Sequence, residues 1–148
     1  MKLLSLTAIK EKEVMNILDY LNQVKQKFDS KNATEHTYRP ALENYLNFLY
    51  QGKIQIANEP KRQKCGAPDF ILSKKRGKSE IPVGYIEAKD IGKNLDELSK
   101  TDQLKRYKES LDNLIFTDYL DFVFYKEGKQ YERVQIAKIA EGEIIFLD

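Results

Sequence analysis

The residues with the most chemical potential lie in two short stretches, Cys65-Gly66-Ala67-Pro68-Asp69-Phe70-Ile71-Leu72 and Val83-Gly84-Tyr85-Ile86-Glu87-Ala88-Lys89-Asp90, separated by a basic, Gly-containing gap. The first leads an acid into one strand, and the second carries an acid and a lysine two apart on the next. Side chains alternate faces with a period of 2, so Glu87 and Lys89 point one way and Ala88 the other. If the intervening hairpin turns around Lys78, Asp69 lies opposite Glu87, because the two positions are equidistant from 78. Directly opposed residues bring their Cβ atoms to about 4.5–5.5 Å, close enough for two carboxylates to share one cation. Without a cation they would repel and raise a pKa. Oxygen-only ligands favour Mg²⁺ or Mn²⁺ over zinc, and the backbone carbonyl of Ala88 could add a further oxygen to those of Asp69 and Glu87. The ammonium of Lys89 would orient an attacking water and offset charge growing on a pentavalent phosphate. Such an arrangement would suit phosphodiester hydrolysis; whether Lys89 also acts as a base stays open.

The elements that position these residues follow from periodicity. Val14, Ile17, Leu18, Leu21, Val24 and Phe28 recur at helical spacing, and residues 1–30 form a helical extension. Thr34 suits an N-cap for a second helix with the apolar stripe Leu42, Tyr45, Leu46 and Leu49. Pro40 pushes the regular part of that helix towards Arg39, and Gly52 ends it. Lys53 to Glu59 and Phe70 to Ser73 read as strands, Lys74 to Glu80 as a hairpin loop, and Val83 to Asp90 as a third strand. A helix from Ser99 carries Leu104, Tyr107 and Leu111 on one side. Strands follow at Leu114 to Phe116, Phe122 to Tyr125, Tyr131 to Ile139 and Ile144 to Leu147. Helix, three strands, helix, strand is an α/β sheet with a crossover.

Bulk properties set the outer limits. With 148 residues and 41% hydrophobic content, one globular domain spanning 1–148 is expected. The single Cys65 excludes an internal disulfide or a cysteine-built zinc site and fits a reducing, cytoplasmic setting. No apolar run approaches the roughly 20 residues needed to span a bilayer, so no membrane partner is expected. A net charge of +2 does not itself argue for nucleic acid, but Lys61, Arg62 and Lys64 precede the Pro68-Asp69 step and Lys74, Lys75, Arg76 and Lys78 follow it. That segregation would give a basic face for phosphate around an acidic pocket; solvated loops are the plainer alternative.

Pro68-Asp69 followed by Glu87-Ala88-Lys89 resembles the PD-(D/E)XK nuclease motif, and Gln103-Leu104-Lys105-Arg106-Tyr107 resembles the QxxxY element of one branch of those nucleases. Residues four apart share a helix face, so Gln103 and Tyr107 can both reach the strand ends. Longer strings, Thr34-Glu35-His36-Thr37-Tyr38-Arg39-Pro40-Ala41-Leu42-Glu43, Asn58-Glu59-Pro60, Cys65 to Phe70, Gly84 to Asp90 and Asn113 to Tyr119, are similar to the N-terminal nuclease region of Type ISP and Type IIG single-chain restriction-modification enzymes. The similarity runs from about Asn32 to Lys126, making 32–126 the nuclease core and 127–148 a pair of C-terminal strands.

The resemblance implies a restriction-endonuclease-like α/β core, with an extra N-terminal helix and a C-terminal β-hairpin. It also implies Mg²⁺- or Mn²⁺-dependent cleavage of double-stranded DNA, and catalytic roles for Asp69, Glu87, Lys89, Gln103 and Tyr107. An acid from the helix before the sheet is a further family feature. Glu35 is favoured over Glu43 for it, because Glu35 continues the side through Leu42 and Leu49. Arg39 would clamp a phosphate or a carboxylate, with a structural ion pair as the alternative. Lys61, Arg62, Lys64, Lys74, Lys75 and Arg76 complete the expected DNA contacts. The family carries helicase, methyltransferase and target-recognition domains that cannot fit here, so these partners belong in cis or on other chains, with dimerisation on DNA as a further expectation. A repair or recombination nuclease of the same fold is one alternative, and a non-catalytic DNA-binding or assembly module another. His36, the lone histidine, reads as a surface or capping residue, and Cys65 as a small packed residue without a visible base.

Overall fold

The computed structural model describes residues 6–58 and 66–147, with side chains from residue 16 onward apart from position 35. Six strands form one sheet in the order β1 (Gln55–Asn58), β2 (Phe70–Arg76), β3 (Ser79–Ala88), β4 (Asn113–Thr117), β5 (Asp121–Lys126), β6 (Lys129–Gln135). All neighbours are antiparallel except β3 and β4, which run parallel. A parallel pair needs a crossover, supplied by the short helix α3 (Leu95–Leu98) and α4 (Asp102–Ser110). The C-terminal strands β7 (Ala137–Ala140) and β8 (Glu143–Phe146) make a separate hairpin. The expected Tyr131 to Ile139 strand is therefore two strands, interrupted at Ile136, whose N–H turns aside to bond the carbonyl of Leu120 at 2.8 Å.

Both sheet faces are covered. On one, α1 (Leu6–Asp29) and α2 (Arg39–Tyr50) pack Tyr20, Leu21, Val24, Leu42 and Leu46 against Phe70, Leu72, Ile86 and Ala88. On the other, Leu104 and Tyr107 of α4 meet Leu114, Phe116, Val123 and Tyr125. The stripes differ in detail from those expected. Leu18 and Leu49 are each 42% exposed, while Tyr20 and Ala41 are buried. The α1 stripe is rotated because Tyr20 reaches across the core, stacking on Tyr45 and donating its hydroxyl to the carbonyl of Tyr119 at 2.7 Å. That carbonyl belongs to the tight turn after β4, where the Asp118 carboxylate accepts from the N–H groups of Leu120 and Asp121 at 3.0 and 2.9 Å.

Helix boundaries follow local chemistry. Thr34 opens a 3₁₀ turn, Glu35–Tyr38, with its N–H bonded to Thr37 Oγ1 at 2.9 Å, and α2 begins at Arg39, as Pro40 requires. The expectation for α4 needs correction. Its cap is Thr101, whose Oγ1 accepts from the N–H of Leu104, whereas Ser99 Oγ closes the preceding α3 turn on the Asp96 carbonyl.

The hairpin between β2 and β3 also differs from expectation. Lys74, Lys75 and Arg76 lie within β2, and only Gly77 and Lys78 turn the chain. From Arg76↔Ser79 to Ser73↔Pro82 the pairing follows that two-residue turn. A bulge then inserts Val83 as an extra residue, and the ladder resumes at Leu72↔Gly84 and Phe70↔Ile86. Without the bulge Phe70 would face Tyr85; with it, Asp69 comes beside Glu87. Pro82 stands at the bulge, a place where a missing N–H is tolerated.

The reassigned cap is directly testable. Thr101→Ala is expected to cost about 1 kcal/mol, lowering the melting temperature by about 2–4 °C, while Thr101→Ser leaves it within about 1 °C. Thermal unfolding followed by circular dichroism reads both variants.

Candidate active site

The centre of the site is the C-terminal end of β3. Glu87, only 3% exposed, lies on the α4 side of the sheet, since its neighbours Ile86 and Ala88 pack against α1 and α2. The parallel ladder continues one residue past the strand, with Lys89 N–H donating to the Thr117 carbonyl at 2.8 Å. Strand parity is thereby preserved through Lys89. Its Nζ stands 3.8 Å from Glu87 Oε2 and donates to Gln103 Oε1 at 3.0 Å. Gln103 is in the first turn of α4, so the Thr101 cap that fixes where this helix begins also fixes where Gln103 stands.

Asp69 immediately precedes β2. Its Oδ2 accepts from Ala88 N–H at 2.8 Å, and its Oδ1 accepts from Arg39 Nη2. The Ala88 N–H contact brings Asp69 against the peptide that follows Glu87. Burial pushes the Glu87 carboxyl up to about 9, reinforced by the neighbouring Asp69; the Lys89 ammonium pulls in the opposite direction without overcoming them. Burial and the neighbouring acid thus disfavour the charged form of Glu87. The approach of two acids at a buried strand end dominates the local electrostatics.

Tyr107, one turn after Gln103 on α4, is 1% exposed and packs on the loop leading to Asp69. A Cβ at Gly66 would lie 3.1 Å from the Tyr107 hydroxyl oxygen and 3.2 Å from a ring carbon, and Gly66 has φ +128°. Only glycine combines that conformation with so close a ring. The two residues of the QxxxY element thus diverge: Gln103 meets Lys89, while Tyr107 meets the chain three residues ahead of Asp69.

Other expected site residues are placed as follows. The backbone of Glu35 lies in the 3₁₀ turn ahead of Arg39, and its side chain falls outside the described residues. Glu43 is half-buried on α2 and His36 is exposed. Lys61, Arg62, Lys64 and Cys65 lie outside the described residues. Lys74, Lys75 and Arg76 are exposed but not gathered at the carboxylates: at about 3.3 Å per residue, Lys74 is some 16 Å and Arg76 some 23 Å along β2 from Asp69. Ala88 does adjoin the acids, through its N–H. Two residues entered the sequence reading only as parts of longer strings, without a role. Asn58, at the end of β1, accepts from Arg39 Nη1 at 3.3 Å, and Gly66 accommodates Tyr107. Asn58 is 19 positions from its partner and had no local signal; the glycine before Ala67-Pro68-Asp69 was at least visible as a conformational exception.

No family model matches this chain, and no curated protein does. Its fold does match solved structures. A chain in the cryo-electron microscopy structure of a DrdV–DNA complex aligns with a TM-score of 0.68 and 22% sequence identity, over 83% of this chain and 12% of that one. The present chain thus corresponds to a small part of that protein. With a helix, three antiparallel strands, a crossover and a parallel fourth strand, the chain has a restriction-endonuclease-like α/β fold.

Proposed function

We propose that this chain is a metal-dependent endonuclease domain that hydrolyses phosphodiester bonds in double-stranded DNA, acting as the cleavage domain of a restriction-modification enzyme. The observation that carries the reading is the convergence of Asp69, Glu87 and Lys89 at one strand end, with Lys89 Nζ held between Glu87 and Gln103. The fold likeness to a chain bound in a DNA complex supports the choice of substrate. Recognition, methylation and translocation belong to further domains, on the same chain or on partners, and pairing of two copies on DNA would bring a second strand within reach.

The donor set fits Mg²⁺ or Mn²⁺. Two neighbouring carboxylates at one strand end suit a hard cation completed by waters and substrate oxygens, although among the described residues no group of three or more His, Cys, Asp and Glu is gathered. Asp69 and Glu87, with the Ala88 carbonyl, would therefore hold an ion that keeps waters and takes phosphate oxygens from the substrate. When bound, that ion supplies Lewis acidity and lowers the pKa of water. The remaining work falls to the chain. Lys89, steadied by Gln103, orients the attacking water and offsets charge developing on the phosphate. Tyr107, closed against Gly66, holds the loop that carries Asp69.

Two measurements test this. In the enzyme with its recognition domains linked or supplied, Mg²⁺-dependent nicking of duplex DNA is expected to fall at least about 100-fold in Asp69→Ala and Lys89→Ala. DNA binding without cleavage at any Mg²⁺ concentration in that setting would refute the nuclease reading. The second measurement exploits Glu87. Its folded-state pKa of about 9 is above the ordinary 4.5, so folding takes up a proton between those values. The associated stability is complete below about pH 4.5 and is lost as pH rises towards 9, with a slope of at most about 1.4 kcal/mol per pH unit. The metal-free melting temperature should therefore drop between pH 6 and 9, and Glu87→Gln should flatten that drop. Mg²⁺, which replaces the proton, should raise the melting temperature more at pH 8.5 than at pH 6; an equal shift at both would contradict the assignment.

A further inference from the structure

We propose that Arg39 is a positioning residue for the metal-binding carboxylate of Asp69 and not a contact to DNA phosphate. The inference rests on the metal-dependent reading above, and its geometry is independent of any titration. Arg39 is the first residue of α2, and its side chain is only 9% exposed. Its guanidinium forks between two acceptors on different strand ends: Nη2 donates to Asp69 Oδ1, and Nη1 donates to Asn58 Oδ1 at 3.3 Å. Asn58 pairs with Phe70, so the fork spans the end of β1 and the residue just before β2.

A carboxylate has about four lone-pair sites. Arg39 occupies one on Oδ1 and the Ala88 N–H occupies one on Oδ2, so the group is held from two sides, by a helix and by β3. Both rotations of the Asp69 side chain are thereby restrained, and the unoccupied lone pairs are left for Glu87 and a shared cation. An arginine serving phosphate needs its terminal nitrogens at the surface. Here both terminal nitrogens are directed at protein oxygens, those of Asn58 and Asp69.

Positioning and simple electrostatics predict opposite signs. A guanidinium next to a cation site repels the cation, so if charge were all that mattered, removing Arg39 would tighten metal binding. If its role is to hold Asp69, removal weakens binding, as loss of a partner to a ligating carboxylate commonly does by 10–100-fold. The experiment is calorimetric titration of the full protein with Mn²⁺ alone, paired with fluorescence anisotropy of a short DNA duplex in EDTA across a salt series. Arg39→Met is expected to weaken Mn²⁺ at least about 10-fold and to leave duplex affinity and its salt slope unchanged. Arg39→Lys, which keeps the charge and one contact, should stay within about threefold of wild type.

Unchanged or tighter Mn²⁺ binding in Arg39→Met, with weaker duplex binding and a salt slope reduced by about 1, would overturn the proposal in favour of a phosphate contact. If Arg39→Met does not fold, Asn58→Ala carries the test. It removes one arm of the fork at an exposed residue and should weaken Mn²⁺ about threefold without a change in duplex binding; unaltered Mn²⁺ affinity overturns the positioning role. Wild-type protein that takes up no Mn²⁺ refutes the metal reading itself, which separates that failure from failure of the Arg39 assignment.

Discussion

Two acids brought together at a buried strand end impose the constraint around which the rest of the molecule is arranged. Glu87 is 3% exposed and Asp69 stands against it, an arrangement that water would not reward and that charge repulsion opposes. The fold tolerates it by surrounding the pair with donors: Arg39 and the Ala88 N–H on Asp69, and Lys89 towards Glu87. Each donor comes from a different part of the architecture. The helix before the sheet provides Arg39, the last peptide of β3 provides the Ala88 N–H, and the extension of the parallel ladder provides Lys89. Covering the sheet on both faces withdraws the acids from water while leaving these donors in reach.

The backbone devices near the site serve the same arrangement. The bulge at Val83 converts a register that follows a two-residue turn into one that places Asp69 beside Glu87. A sheet lacking it would present Asp69 one residue out of step, with the wrong parity. The left-handed Gly66 lets the Tyr107 ring approach the chain leading into Asp69, and Thr101 sets the start of the helix that bears both Gln103 and Tyr107. Helix α4 therefore touches the site twice, once through the lysine and once through the loop of the first acid. A spacing of four residues on a helix allows this because consecutive turns overlie neighbouring parts of the sheet.

Much of this was legible in the linear chain. Strand alternation put Glu87 and Lys89 on one face, and helical spacing put Gln103 and Tyr107 on another. The expected turn centred on Lys78, whereas the observed turn is Gly77-Lys78 with a compensating bulge, and the ladder ends at Phe70↔Ile86, one step short of Asp69 and Glu87. Exposed charges were less informative. Lys74, Lys75 and Arg76 have the composition of a loop, yet they belong to a strand, because a two-stranded ribbon beyond the covered sheet can carry polar side chains on both faces. Leu18 and Leu49 fit helical stripes and are nonetheless exposed, since a stripe's edge is set by what it packs against and not by its own period.

What the sequence by itself determined was the inventory and its local order: which acids, which lysine, which strands and helices, and their α/β succession. Those follow from periods of 2 and 3.6 and from residue chemistry, which act over a few positions. The tertiary structure alone decided the long-range partnerships. Arg39 reaches Asp69 and Asn58, Ala88 turns its N–H to Asp69, and Tyr107 closes on Gly66, across separations that no local propensity encodes. They are products of packing two helical layers on one twisted sheet. That packing made Arg39, one of several basic residues in the sequence, a neighbour of the acid at the centre of the site.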